Sequence, residues 1–360
     1  MSSEPRGQPS LVDWGLAQRL AVTIAGTGPE HDAVGQVELD EVSSRAMSMV
    51  IEYTGMEPLG ELPRPEAVDR PEWIRANLAA FRSMSGDLER RLADSIRLPE
   101  PFRGVTRTLA GTVGGAEVGL VLGYVARKVL GQYDLAVIGP TRTPRLLFVR
   151  ANLAQAHRRL GGDRSVFLHW IALHEATHAV QFASVPWLRV HLGGMVEELL
   201  EGATLGADMS ALRAALRRAL QRPDPGRLAR QLRQEGLVQL LSGPRQAALL
   251  RRLQATMAVI EGHAEHVMDA IGARLDPGYA RLRDALAAER EQRSPIDVIV
   301  MRLLGLDMKL RQYRLGKRFA DSVTERSGIQ GLNEVWREPG SLPDSEELRE
   351  PDRWMSRVTV

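Results

Sequence analysis

The chain has 360 residues, of which 44% are hydrophobic and 26% are charged, a composition typical of a globular protein that can bury a substantial core. It contains no cysteine, which excludes disulfides, thiolate metal sites, iron–sulfur clusters and cysteine nucleophiles. Its 47 basic residues nearly balance its 45 acidic ones, so the net charge of +2 gives no sign of a nucleic-acid-binding protein. Any bound metal ion must therefore be held by histidine, aspartate or glutamate.

The N-terminal part is expected to be helical, with a proline-rich connection. Apolar residues recur at three- and four-residue spacing over residues 11–25 and 42–53, which predicts two amphipathic helices. Four prolines within residues 56–73 predict a largely irregular connection, and a helix over residues 71–98 follows it. We therefore expect residues 1–103 to form an N-terminal helical region.

Residues 109–126 are apolar enough to resemble a membrane span, and glycine occupies every fourth position from Gly111 to Gly123. Small residues at this spacing permit very close helix packing, in lipid or in a protein core. Glu117 in the middle of the segment disfavours a span, so we expect a buried or closely packed helix. The first 20 residues show no basic segment followed by a long apolar run, so we also expect a cytoplasmic protein without membrane contact.

Residues 133–139 and 145–152 are the best strand candidates, and the intervening PTRTP predicts that they form a hairpin. Its edge could hold an extended peptide, or the hairpin could simply cover the helices. After residue 186 the chain is almost entirely helical in pattern, and its arginine clusters are typical of solvated helix faces. The predicted fold is mainly α with a small β hairpin or sheet. Residues 341–360 are proline-rich and are expected to form a surface tail.

The segment WIALHEATHAVQF, residues 170–182, carries the pattern H-E-x-x-H at His174, Glu175 and His178. Histidines at positions i and i+4 lie on one face of a helix, so both imidazoles can bind one zinc ion. Glu175 lies about 100° around the helix from His174 and can reach a zinc-bound water as general base. The alternative is a buried helix with two hydrogen-bonded histidines, which would be costly among so many apolar residues.

A catalytic zinc ion usually has three protein ligands, so a third must come from elsewhere. A histidine six residues beyond the second, with a glycine between, is one common solution; here those positions hold Ser184 and Gln181. The other solution is a glutamate from a later helix, and Glu261 in MAVIEGHAEHVMDA is the candidate. Glu265 and Asp269 continue its stripe at i+4 and i+8, where Glu265 could accept the outer N–H of a ligating histidine. A solvated acidic stripe is the alternative.

HEATH followed downstream by EGHAEH resembles the glutamate zincins, in which a second helix supplies a glutamate as third zinc ligand. EGHAEH is similar to the N-E-G-F-A segment of the aminopeptidase-N type, with Ile260 in place of asparagine, and the 83-position gap from His178 to Glu261 is longer than in those enzymes. The whole chain more closely resembles a zincin-like metallopeptidase family labelled as associated with deazaflavin-cofactor biosynthesis. WIALHEATHAVQF, VIEGHAEHVMDA and LLGLDMKLRQYRLGKRF carry this resemblance. It implies a zinc hydrolase, with residues 104–340 as the zincin-like catalytic region.

These features predict a zinc-dependent metallohydrolase, and more specifically a peptidase that acts on a peptide or protein substrate. His174, His178 and Glu261 would hold zinc, and Glu175 would take a proton from the attacking water and pass it to the leaving amine. One alternative is a catalytically inactive zincin-fold protein that serves in binding or assembly. Another is a di-metal carboxylate protein, but that architecture needs a second E-x-x-H pair, which Glu261 and Glu265 do not begin. The oligomeric state is not predicted.

An oxyanion stabiliser is also expected, and Tyr313, His266 and Arg311 are the candidates for this role. Tyr313 ranks first, although a tyrosine on a charged helix can equally be a packing residue. His266 lies about 140° around the helix from Glu261, so it would reach only the edge of a cleft.

Overall fold

The computed structural model describes residues 12–28, 34–95, 102–134, 143–205, 244–275, 278–291 and 306–358. Over these residues the fold is mainly α helical with one small β sheet, which confirms the predicted fold class. The helices are α1 (Trp14–Ala25), α2 (Gln36–Thr54), α3 (Arg70–Ser95), α4 (Phe102–Ala126), α5 (Arg150–Leu160), α6 (Arg164–Ser184), α7 (Pro186–Leu205), α8 (Pro244–Leu275), α9 (Gly278–Glu291), α10 (Leu306–Asn333) and α11 (Pro351–Val358). The strands are β1 (Pro65–Val68), β2 (Gly131–Asp134) and β3 (Arg145–Val149).

The chain divides into two compact units. The first comprises Met1–Asp40 with Arg64–Arg159, and the second comprises Glu41–Pro63 with Leu160–Val360. The division into functional regions at residues 103/104 and 340/341 stays a prediction.

In the first unit, α1 and α4 pack with their backbones in contact. A Cβ atom at Gly119 would lie 2.8 Å from the carbonyl oxygen of Ala17, and one at Gly115 would lie 2.5 Å from that of Asp13. Only glycine permits such an approach, so the expected closely packed helix is confirmed. Across the described residues, every helix falls short of the length and apolarity that crossing a membrane requires.

A buried arginine ties four helices of the first unit together. The Arg70 guanidinium donates hydrogen bonds to Asn152 Oδ1 at 2.8 Å and to the Ala25 carbonyl at 2.8 Å. The Asn152 amide in turn donates to the Ala126 carbonyl at 2.8 Å. Because each buried polar group here has a partner, the cluster fixes α1, α3, α4 and α5 without an ion pair between these groups.

The three strands have the order β1-β3-β2, with β1 parallel and β2 antiparallel to β3. The β2–β3 pairing confirms a hairpin, but residues 150–152 of the second predicted strand belong to α5, and residues 135–139 of the first lie outside the described residues. Strand β1 lies in the stretch predicted to be irregular. That prediction was wrong at these four residues, because Pro65 stands at the first position of an edge strand, where proline is tolerated. The Gln36 side chain covers the outer edge of β1 by donating to the Pro65 carbonyl and accepting from Ala67 N–H, at 2.6 and 2.9 Å.

In the second unit, α8 crosses α10 at a pair of glycines. A Cβ atom at Gly316 would lie 1.8 Å from the carbonyl oxygen of Ala258, and one at Gly262 would lie 2.1 Å from the carbonyl carbon of Gly316. The two helix backbones therefore touch at this crossing. Because Gly262 directly follows Glu261, the crossing sets the position of that glutamate.

The C-terminal segment contributes to the core of the second unit and is not a surface tail. Trp354 on α11 is fully buried, its ring lies 5.1 Å from that of Phe319, and its indole N–H donates to the Ser341 carbonyl at 2.7 Å. The prolines that suggested a surface tail include one that begins a helix. Pro351 opens α11 at the first helical position, where a missing N–H costs no hydrogen bond.

Candidate metal centre

Helix α6 places the H-E-x-x-H segment in its interior. Gly161 and Gly162 precede the helix with φ values of +69° and +85°, and the Asp163 carboxylate then accepts hydrogen bonds from the backbone N–H groups of Ser165 and Val166. This N-cap fixes where the helix begins. The motif follows about two to three turns later, so all three of its polar side chains project from regular helix.

The structure brings His174 and His178 together with Glu261 of α8. The Nε2 atoms of the two histidines are 3.3 Å apart, and Glu261 Oε2 lies 3.7 Å from each of them. Within the described ranges, these residues form the group of donors that could hold a metal ion. Donor atoms that share a tetrahedral zinc ion at about 2.0–2.2 Å are roughly 3.3–3.6 Å from one another. The donor set and its spacing therefore fit zinc.

The cluster is sheltered but not sealed. The side chains of His178 and Glu261 retain 11% and 18% of their exposure, and that of His174 retains 25%. Glu175, between the two histidines, is buried. The cluster is thus partly shielded from solvent, most at His178 and least at His174.

The electrostatics of His178 are set by the surrounding carboxylates. Burial alone would lower its pKa, but Glu261, Glu175 and a hydrogen bond from the ring to Gln181 together raise the pKa to about 9. The carboxylates around His178 therefore favour a positive charge at this position.

Gln181 is a site residue that the sequence did not reveal. Its Oε1 accepts a hydrogen bond from Nδ1 of His178 at 3.0 Å, which is the supporting role that the sequence suggested for Glu265. The sequence could have indicated Gln181 through its position three residues after His178, on the same side of the helix. Glu265 is half-buried on α8, and its role as a support stays a prediction.

Both ring nitrogens of His266 have partners other than the three residues of the metal cluster. Nδ1 lies 2.8 Å from Asp321 Oδ1, and Nε2 lies 2.9 Å from the Tyr53 hydroxyl. Asp269, the last residue of the predicted stripe, pairs with Lys317 at 3.1 Å. The structure therefore places His266 in contact with α2 and α10, and Asp269 in contact with α10.

Tyr313 and Arg311 fall within α10, but their side chains lie outside the described part of the structure. His263, by contrast, is fully buried in the second unit, and this burial lowers its pKa to about 3. His263 is therefore neutral, and its Nδ1 lies 2.8 Å from Nε2 of Gln181.

Comparison with known proteins places the whole chain in a family. The family model described as zincin-like metallopeptidase matches residues 12–355. Among solved structures, the crystal structure of a proposed hydrolase with a novel fold from Chloroflexus aurantiacus is similar, with a TM-score of 0.68 and 29% sequence identity over 97% of this chain and 99% of that one. The curated proteins gave no match. The family match spans nearly all residues and includes both helices of the cluster, so the chain belongs to the zincin-like metallopeptidases.

Proposed function

We propose that this protein is a zinc-dependent hydrolase that cleaves amide bonds in a peptide or protein substrate. The observation that carries this proposal is the convergence of His174 Nε2, His178 Nε2 and Glu261 Oε2 from two helices. Two histidines and one glutamate form a ligand set of catalytic zinc sites, which leave a fourth position open. Membership of the zincin-like metallopeptidase family supports the same conclusion.

When bound, a zinc ion would polarise the scissile carbonyl group and lower the pKa of a water molecule at its open position to about 7. Neutral imidazole and carboxylate donors suit zinc better than magnesium or calcium, which prefer oxygen ligands alone. Gln181 keeps the proton of His178 on Nδ1, so that Nε2 can serve as the donor.

Glu175 is the general base in this proposal. It lies directly after His174 in α6, is buried, and is close enough to His178 to raise the pKa of that histidine. A carboxylate in this position can accept a proton from the attacking water and then deliver it to the leaving nitrogen. The two transfers use one residue and need no further acid.

For the oxyanion we retain Tyr313, on the strength of the sequence. His266 is the weaker candidate, because its two ring nitrogens already have Asp321 and Tyr53 as partners. Replacement of Tyr313 by phenylalanine should lower kcat about 100-fold or more while leaving zinc content unchanged. An unchanged kcat would remove Tyr313 from the mechanism.

Replacement of Glu175 by glutamine tests the mechanism. The side chain keeps its size but cannot accept the proton, so the variant should bind zinc as the wild type does and lose turnover of a peptide library. Glu198→Gln, on the exposed surface of α7, is the matched control and should retain full activity. Full activity of Glu175→Gln would refute the proposed base. Zinc-loaded wild type that cleaves nothing in the library would favour a binding or assembly role.

A further inference from the structure

A chain of hydrogen bonds leads from His178 through the second unit. Gln181 Oε1 lies 3.0 Å from His178 Nδ1, and Gln181 Nε2 lies 2.8 Å from His263 Nδ1. His263 Nε2 then lies 3.4 Å from Asn333 Oδ1, and Asn333 Nδ2 donates to the Thr54 carbonyl at 2.7 Å. The chain joins α6, α8, α10 and the end of α2, and Gln181 and His263 are completely buried within it.

At the Asn333 end of this series of hydrogen bonds, the donor and acceptor roles can be assigned in only one way. The Thr54 carbonyl is an acceptor, so Asn333 must present its NH2 group there and its oxygen to His263. His263 must therefore donate from Nε2, and its Nδ1 lies 2.8 Å from Gln181 Nε2, where it can accept the amide N–H.

At the His178 end, a separate contact assigns the donor and acceptor roles in the same sense. The Ile260 carbonyl lies 3.2 Å from Gln181 Nε2 and is also an acceptor only. Reversal of the Gln181 amide would place its oxygen against both this carbonyl and His263 Nδ1, two acceptors. Gln181 therefore offers its oxygen to His178, and only an Nδ1–H group can satisfy it.

We propose that Gln181, His263 and Asn333 are positioning residues that hold the proton of His178 on Nδ1, so that its Nε2 is directed at Glu261 and His174. The chain acts on the metal site from as far away as the end of α2. The expected effect on zinc affinity rests on the proposed role of His178 as a ligand. The proton on Nδ1 does not require a bound metal.

The structure offers a matched pair of side chains for a test. Asn333 and Gln330 both lie on α10 and both donate to the Thr54 carbonyl, at 2.7 and 3.3 Å. Asn333 also reaches His263, and the contact described for Gln330 is with Thr54 alone. A merely stabilising role would make the two replacements equivalent, whereas the proposal makes them different at His178.

The experiment uses the full chain with 15N-labelled histidine. It measures hydrogen exchange of the His178 ring N–H in metal-free protein, and zinc affinity by competition with a chromophoric chelator. Gln181→Met should lose the protection of the ring N–H and weaken zinc binding about 10–100-fold. Asn333→Leu should also lower the protection of the ring N–H and the zinc affinity, and Gln330→Leu should leave both at wild-type values. Asn333→Gln keeps both an NH2 donor for Thr54 and an acceptor oxygen for His263 and should restore both readouts relative to Asn333→Leu, which separates positioning from loss of folding.

Equal effects of Asn333→Leu and Gln330→Leu would overturn the proposal, as would a protected ring N–H in Gln181→Met. Wild-type protein with a protected His178 N–H but without zinc binding would refute the proposed function and leave the positioning chain intact. Wild-type protein that binds zinc but has an unprotected Nδ1–H would refute the positioning chain and leave the proposed function intact.

Discussion

Replacement of Gly316 by alanine should separate helices α8 and α10 and weaken the metal site at the same time. The new Cβ atom would lie 1.8 Å from the carbonyl oxygen of Ala258, and real Cβ contacts essentially never fall below 3.0 Å. The atom in the way belongs to a helix backbone, so a side-chain rotation cannot relieve the clash. The two helices must move apart by more than about 1 Å to restore normal packing.

The size of the effect follows from two opposing terms. Overpacking usually costs about 1–3 kcal/mol, and a backbone clash in a closely packed crossing belongs at or above the upper end of that range. Replacing a helical glycine by alanine returns about 0.5–1 kcal/mol of conformational entropy. We therefore expect the free energy of unfolding to fall by at least about 2 kcal/mol. Glu261 lies three residues after Ala258, so the displacement also changes its position relative to the two histidines.

Urea unfolding of metal-free protein measures the first effect, and chelator competition measures the second. Gly194→Ala is the control, because Gly194 is also helical, and a Cβ atom there would have no neighbour within 4 Å. That variant should be about 0.5–1 kcal/mol more stable than the wild type and should bind zinc normally. If Gly316→Ala were as stable as Gly194→Ala, the close contact of α8 and α10 would be refuted.

Two further predictions concern charged and polar contacts away from the cluster. Burial alone would raise the pKa of Asp321, but His266 and Lys317 lower it below its usual value. The stability this gives is present at neutral pH and is lost as pH falls through the folded-state pKa, so Asp321→Asn should be less stable at pH 7 and equal to the wild type well below pH 3.8. With 46% of the Asp321 side chain exposed, the difference at pH 7 should be at most about 1 kcal/mol, and a gap in urea titrations that widened towards low pH would contradict the assignment. Asn152→Leu leaves Arg70 and the Ala126 carbonyl short of a partner and should cost about 2–4 kcal/mol in thermal or urea unfolding; a cost below about 0.5 kcal/mol would show that water replaces the lost bonds.

Much of the metal site could be predicted from the sequence because its residues are regularly spaced along single helices. His174 and His178 are one helical turn apart, and the stripe that begins at Glu261 supplied one further donor. The close packing of α4 was also readable, since glycine at every fourth position leaves a groove along one face of a helix. In each case, spacing along one element determined the outcome.

The contacts that join distant segments could not be predicted. Tyr53 meets His266, and Thr54 accepts from Asn333, across separations of more than 200 positions that no periodicity encodes. Strand β1 was missed for a related reason. It exists through its pairing with β3, and its own four residues contain a proline and a glutamate, which have low strand propensity.

The proposed function requires that His174, His178 and Glu261 together hold one zinc ion. The test is the metal content per chain of the wild type and of Glu261→Ala, with Glu175→Gln as a variant that keeps every ligand. We expect about one zinc per chain in the wild type and in Glu175→Gln, and loss of that zinc in Glu261→Ala. Stoichiometric zinc retained by Glu261→Ala, or a wild type that binds no metal, would contradict it.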